Sequence, residues 1–220
     1  MTPLIDATEM YLRTVWELEE EGITPIRARL VERLGLSAPA VSETVARLEQ
    51  EGLLRVAADR TLELTDAGRQ LAISVMRKHR LAERLLTDVI GLEWEQVHTE
   101  ACRWEHVISD AVEQRLMELL HVPKTCPHGN PIPGVAGAQP PSGLVTMAEA
   151  ALEGCRATVR RISERLQSDV AEMRFLRERG LRPGDTAQFG IDHGGVVAVV
   201  DGDAVRVPQS IAGHVYVDPV

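Results

Sequence analysis

The sequence predicts a mainly α protein that finishes in an α+β segment. Three observations predict it. Helical periodicity dominates the first 120 residues, six prolines and several glycines then gather between Val122 and Gly143, and short apolar runs separated by turns fill the remainder.

The elements follow in order. Leu4, Met10, Tyr11, Val15 and Leu18 recur near helical spacing and predict a first helix over Leu4–Glu21. Its acidic end opposes the helix dipole, but Gly22 is a good stop. Pro25 opens a second helix, Ile26–Leu34, which Gly35 ends. Ser37 caps a third, Ala40–Gln50, that turns Val41, Val45 and Leu48 inward, and Gly52 closes it. Leu53–Val56 and Thr61–Leu64 read as a hairpin around Ala57–Arg60. Thr65 or Asp66 caps a long helix, Ala67–Ile90, and helices over Glu93–Val107 and Ser109–Leu120 follow. Past the proline-rich stretch, strands are expected at Ala157–Ile162, Thr186–Phe189, Val196–Val200, Ala204–Val207 and Ala212–Val217. With a helix over Ser168–Arg179 they make a small β-barrel. Four segments result: 1–66, 67–121, a linker at 122–146, and 147–220.

Composition bounds the function. At 44% hydrophobic and 26% charged residues, the 220-residue chain is globular and long enough for two small cores. It has no apolar run of membrane-spanning length and no basic start leading into an apolar stretch, so neither a membrane partner nor a signal peptide is expected. Three scattered cysteines point to reduced thiols and the cytoplasm. The net charge of −9 argues against nucleic acid for the chain as a whole. Between Pro25 and Arg60, however, six arginines face five acids, a local balance of +1.

Helix, short helix, tight turn, helix and hairpin is the order of a winged helix-turn-helix, whose third helix enters the major groove. Ser37, Pro39, Ala40, Ser42, Glu43 and Arg47 would then face DNA, flanked by Arg27, Arg29 and Arg60. Serine and arginine suit phosphates, and Pro39 and Ala40 suit thymine methyls. Glu43 can accept from cytosine N4 but repels phosphate. The plainer reading is a packed domain with arginines on a solvated face.

A second cluster lies between Arg77 and His106. His79 and Glu83 are one turn apart on the long helix, and His98, Cys102, Glu105 and His106 share one face of the next. Imidazole, thiolate and carboxylate together suit Fe(II), Mn(II), Co(II), Ni(II) or Zn(II) rather than Mg(II) or Ca(II). The competing reading makes Cys102 core packing and His98 solvated. The chain has no HExxH, phosphate-binding glycine loop or GxSxG, so an enzyme with a small-molecule substrate is not expected. Cys126-Pro127-His128 stands too isolated to read as a thiol–imidazole pair.

A winged helix followed by this ligand array resembles the diphtheria toxin repressor family of iron-dependent regulators over nearly the whole chain. Asp6–Thr14, Met76–Leu92, Ala101–His106 and Gly129–Gly134 carry the resemblance. It implies an activating metal site of Met10, Cys102, Glu105 and His106. It implies a second site of His79, Glu83 and His98, completed by two C-terminal side chains placed at Asp169 and Glu172. Relatives often carry Glu and Gln there, so both positions depart from the pattern. An anion near Arg80 and Asn130 is implied, with Cys126 where serine is common. Glu43 departs from a glutamine. The resemblance further implies dimerisation through Ala67–Leu120 and an SH3-like C-terminal domain.

The expected function is an Fe(II)-activated repressor of iron-responsive genes, acting as a homodimer on palindromic double-stranded operators. Co(II), Ni(II), Mn(II), Zn(II) or Cd(II) could substitute for iron. Met10 and Cys102 resemble the iron-selective branch, since the manganese branch has a carboxylate at Met10. A manganese-responsive member, a metal-dependent enzyme with a winged-helix appendage and a regulator answering to a small molecule are the alternatives.

Overall fold

In the computed structural model the described residues are 7–139 and 142–220. The start of the first expected helix, at Leu4, and Pro140 and Pro141 lie outside them. The chain packs as two units. One comprises Met1–His79 and Cys102–Glu113, the other Arg80–Ala101 and Gln114–Val220.

The first unit begins with α1 (Ala7–Glu20), α2 (Arg27–Leu34) and α3 (Ala38–Gln50). The hairpin β1 (Leu54–Val56) and β2 (Leu62–Leu64) follows, paired with Leu54 opposite Leu64 and Val56 opposite Leu62. Ser37 accepts from the Ala40 amide and caps α3, with Pro39 in the first turn, where a missing N–H costs nothing. Val41, Val45 and Leu48 of α3 join Tyr11, Leu12, Val15 and Leu18 of α1 and Leu54 and Leu62 of the hairpin in one buried core. The opposite face of α3 stays in solvent, as amphipathic spacing requires. Thr65 turns the hairpin into α4 (Asp66–Leu85), donating to the Gly52 carbonyl at 2.7 Å and accepting from Gly68 N at 3.2 Å. Gly68 has no freedom to change, because a Cβ there would lie 1.9 Å from the Leu53 carbonyl oxygen.

α4 is shorter than the expected Ala67–Ile90. Its last turn widens into a π-turn over Leu86–Ile90, which Gly91 ends in the left-handed region. α5 (Val97–Trp104) starts four residues later than expected, and α6 spans Asp110–Leu119.

The second unit holds a six-stranded, wholly antiparallel sheet of order β3-β8-β4-β5-β6-β7. Its strands are β3 (Val145–Thr146), β4 (Arg156–Ile162), β5 (Thr186–Asp192), β6 (Gly195–Val200), β7 (Asp203–Val207) and β8 (Val215–Pro219). Alternating residues such as Ala187 and Phe189 point into a core shared with Met147, Met173, Leu176 and Ile211. Three helices here carry no sequence expectation, α7 (Met147–Glu153), α8 (Glu164–Gln167) and α10 (Gln209–Ala212), while α9 (Val170–Glu178) is the expected Ser168–Arg179 helix. The last expected strand, Ala212–Val217, starts three residues later as β8, because Gln209–Ala212 is helical.

The proline-rich stretch is not a free tether over its first half. Cys126, His128, Asn130, Ile132 and Val135 are buried. The backbone pairs Cys126 with Asn130 and ties His128 to Ile162 of β4. Prolines remove donors here and leave the remaining amides well matched.

Candidate metal centre and DNA-reading surface

In the first unit α1 carries Glu9, Met10 and Arg13, α4 carries His79, and the end of α5 with its following turn carries Cys102, Glu105 and His106. Glu105 is the hub. One Arg13 guanidinium nitrogen donates to both carboxylate oxygens at 2.6 Å. His79 Nδ1 lies 2.6 Å from Oε2, and His106 Nε2 lies 3.2 Å from Oε1. The same Arg13 nitrogen approaches Cys102 Sγ at 3.6 Å, and His106 Nδ1 lies 2.6 Å from Glu9. Burial opposes the charge on Glu105, yet Arg13 and the two imidazoles outweigh it and hold the carboxyl well below its usual range. His106 is raised, chiefly by its contact with Glu105, against burial and with help from Glu9. Cys102 and Glu105, with His106 beside Glu105, thus gather around a positive charge, here the Arg13 guanidinium. Thiolate, imidazole and carboxylate arranged about a cation fit a first-row divalent metal. Met10, also on α1, is half-buried against the core of the first unit.

The second unit gathers Glu83, His98 and Glu164, all buried, with ligand atoms within 4.8 Å of one another. His98 Nδ1 is 3.3 Å from both Glu83 Oε1 and Glu164 Oε2. The expected partners Asp169 and Glu172 are not there. Asp169 is exposed and caps α9 through the Ala171 and Glu172 amides. Glu172 accepts from Ser210 at 2.5 Å, and both line a surface pocket of about 430 Å³ with Arg165 and His214. Glu164 takes the inward place because β4 ends at Ile162 and α8 turns it back onto Arg80. Gln167, three residues on, is fully buried; its Nε2 donates to the Ile162 carbonyl and its Oε1 has no hydrogen bond among the described residues. A Glu and a Gln three apart, the pattern common in relatives, thus stand at 164 and 167, five residues before the expected pair.

The residues expected to hold an anion also have partners. Arg80 is wholly buried, donates to Glu164 at 2.8 and 3.0 Å and to the Pro131 carbonyl, and so meets a carboxylate of the chain itself. Asn130 donates to the Ile162 carbonyl at 2.8 Å. Cys126 packs instead beside Glu83 and His128. Burial first, then Glu83 and Glu164, pushes its thiol well up.

On the DNA-reading side, Ser37, Pro39, Ser42, Glu43 and Arg47 are exposed and Ala40 is half-buried. Arg47 pairs with Glu51 at 2.9 Å and Arg29 with Glu32 at 3.1 Å. Arg27 is half-buried, and Arg60 is exposed at the tip of the hairpin with φ +72°.

Family models match almost all of this machinery. The iron-dependent repressor N-terminal DNA-binding domain covers residues 3–62, and the iron-dependent repressor metal-binding and dimerisation domain covers 65–134. The chain belongs to the iron-dependent repressor family. The iron-dependent repressor IdeR of Mycobacterium tuberculosis is 51% identical over 232 residues, covering 100% of both chains. The diphtheria toxin repressor of Corynebacterium diphtheriae is 64% identical over 135 residues, 61% of this chain and 60% of that one. A solved manganese-dependent transcriptional repressor in complex with manganese matches with a TM-score of 0.84 at 30% identity, covering 97% of this chain and 100% of its own. As a member of the iron-dependent repressor family, the chain is a metal-dependent transcriptional repressor and not an enzyme. Its winged helix is the DNA-binding domain, and the six-stranded sheet is the SH3-like part of the fold. No helix among the described residues is long and apolar enough to cross a membrane.

Proposed function

We propose that this repressor responds to Fe(II) through Met10, Cys102, Glu105 and His106, and binds palindromic double-stranded operators of iron-responsive genes as a homodimer. The observation that carries this reading is the convergence of Glu105 and Cys102 on the Arg13 charge, because it brings two expected donors from the end of α5 to a cation carried by α1. A divalent ion held there supplies two positive charges and directional bonds. Met10 supplies a thioether from α1, while Cys102, Glu105 and His106 supply the other donors. Arg13 gives up Glu105, and His106 gives up its proton. α1 is thereby fixed, and through its shared core with α3 and the hairpin it sets the reading head. Metal bound 100-fold more tightly to the DNA-competent state shifts the equilibrium by about 2.7 kcal/mol.

Thioether and thiolate favour Fe(II), Co(II), Ni(II), Zn(II) or Cd(II) over Mn(II). The solved neighbours named for manganese make a manganese response the alternative. A second site is supported by the buried Glu83, His98 and Glu164 in place of Asp169 and Glu172. His79 keeps its expected place among the ligands of that site, and its Nδ1 also lies 2.6 Å from Glu105. Dimerisation is supported by exposed Val89, Ile90, Val107 and Val112 on segments matched by the dimerisation model. In a two-fold dimer, α3 of each subunit would enter successive major grooves about one helical turn apart. Ser37, Ser42 and Arg47 would meet phosphates, Pro39, Ala40 and Glu43 would meet base edges, and Arg27, Arg29 and Arg60 would flank them.

The test is operator binding by fluorescence anisotropy, without oxygen, across Fe(II), Co(II), Ni(II), Zn(II) and Mn(II). Fe(II) and Co(II) should activate at lower free concentration than Mn(II), and Met10→Ala or Cys102→Ala should raise the metal required at least about tenfold. Equal affinity with and without metal would overturn the repressor mechanism, and a titration unmoved by either substitution would overturn the site.

A further inference from the structure

The five acids between Pro25 and Arg60 differ in their partners. Glu32 pairs with Arg29 and Glu51 with Arg47. Glu49 accepts from the Val56 amide at 2.9 Å, and Asp59 accepts from the Thr61 amide at 3.0 Å. Glu43 is exposed and has no hydrogen-bond or ion-pair partner among the described residues. Its place on α3 is set by the core. At 3.6 residues per turn it projects about 170° away from the mean direction of Val41, Val45 and Leu48, the three buried residues of that helix. Pro39, Glu43, Ala46 and Gln50 form the stripe opposite the core, and all four are exposed.

A recognition helix meets base edges with the residues toward its N-terminus. Along that part of the stripe Pro39 and Ala46 carry no hydrogen-bonding side chain, and Gln50 stands at the far end of the helix. Arg47, beside the stripe, is held by Glu51 at 2.9 Å and lies 3.4 Å from Thr8 Oγ1. We propose that Glu43 is the specificity-determining residue of the reading head and selects a C·G pair in each half-site by accepting from cytosine N4. The inference rests on the operator-binding reading above and names what that reading leaves open, the base pair recognised.

The selection follows from what a carboxylate can do. An ionised carboxylate accepts hydrogen bonds and donates none. In the major groove guanine offers O6 and N7 and thymine offers O4, all acceptors that repel it. Adenine offers the N6 donor, but its N7 acceptor stands beside it. Cytosine offers the N4 donor with no acceptor next to it, so the order is cytosine, then adenine, then guanine and thymine. The same charge is repelled by phosphates, and no cation of the described chain pairs with it. Glu43 therefore acts twice, drawing the helix to one base pair and penalising DNA that lacks it. A merely solvated glutamate would show the repulsion without the base preference.

The test selects bound sequences from duplexes with a randomised core, using full-length wild type, Glu43→Gln and Glu43→Ala, each loaded with Co(II) without oxygen. The wild type should show a C·G pair at one position in each half-site. That preference should vanish in Glu43→Ala and pass to A·T in Glu43→Gln, because an amide can meet both N6 and N7 of adenine. The other positions should stay as they are. In fluorescence anisotropy, replacing the C·G pair in one half-site should weaken wild-type binding at least about fivefold and leave Glu43→Ala binding unchanged. Both variants should bind unselected duplex more tightly than the wild type. Tighter binding to unselected duplex with an unchanged motif would make Glu43 a solvated charge and overturn the inference. A preference lost with Glu43 for any pair other than C·G would overturn it too. Metal-dependent selection of one motif by all three proteins would overturn this inference alone, whereas selection of no sequence by any of them would overturn the operator-binding reading and this inference with it.

Discussion

Arg13 is the residue on which the metal-free state of the proposed activating site turns. Its guanidinium already satisfies Glu105 and touches Cys102, so an incoming divalent ion competes with a charge belonging to the chain. Arg13→Gln should therefore bind Co(II) roughly tenfold more tightly, the equivalent of about 1.4 kcal/mol, as measured by calorimetry. The same variant should melt earlier without metal by about 1–3 kcal/mol, since Glu105 keeps His79 and His106 but loses its strongest partner. Tighter metal binding without apo destabilisation would mean that Arg13 is not the competing cation. The spacing of Cys102, Glu105 and His106 singles them out together, although α5 ends at Trp104 and leaves Glu105 and His106 in the turn that follows. The part played by Arg13 is not legible, because a basic residue among ligands reads as a surface charge until its partner is known.

At the scale of elements, two short devices hold the second unit's loops. Thr146 and Glu149 form a reciprocal capping box at the start of α7, with Thr146 N donating to Glu149 at 2.7 Å and Glu149 N donating to Thr146 Oγ1 at 3.2 Å. Thr146→Ala should cost about 1 kcal/mol in chemical denaturation. Hydrogen bonds from the Thr146 backbone and side chain lower the Glu149 pKa, so its share of stability is present above the ordinary value of 4.5 and fades as pH falls through the lower folded value. That share is small because the group is mostly exposed. Gly129→Ala should be far worse, since the left-handed backbone and the Arg160 carbonyl both exclude a methyl group. Loss of cooperative melting, or a fall in stability of several kcal/mol, is expected. Helices α1 to α3 and the wing are readable from caps, glycines and periodicity. The end of α4 is not, because a π-turn keeps helical spacing in sequence while changing which residues face inward.

For the molecule as a whole, charge and association decide behaviour. A net charge of −9 makes the metal-free chain a poor ligand for DNA at long range, and carboxylates such as Glu83 and Glu105 are part of that charge. Operator affinity of the metal-filled protein should still fall steeply with salt, because the reading head is locally balanced and carries arginines at its edges. Arg60→Ala and Arg27→Ala should each weaken binding to all sequences alike and reduce the salt slope by about one. A slope unchanged in both variants would remove those arginines from the phosphate-contacting set. Ile90, 55% exposed at the end of the π-turn, is an apolar group that association would cover. Ile90→Arg should shift sedimentation toward monomer while leaving the melting of the hairpin domain intact.

The sequence by itself determined the winged helix and the family, and the family resemblance supplied the proposed activating donors. The winged helix rests on local spacing, where three or four residues define a face and glycine or serine defines an end. Only the tertiary structure decided which acid joins Glu83 and His98. Asp169 and Glu172 have suitable spacing, but helix α9 uses one as a cap and turns the other to Ser210, while the break after β4 aims Glu164 inward. It also decided that Cys126 and His128 belong together with Glu83, since residues some forty positions apart meet only where the proline-rich loop docks. A side chain's type is written in the sequence, but its neighbours across the fold are set by long-range packing, which no local period encodes.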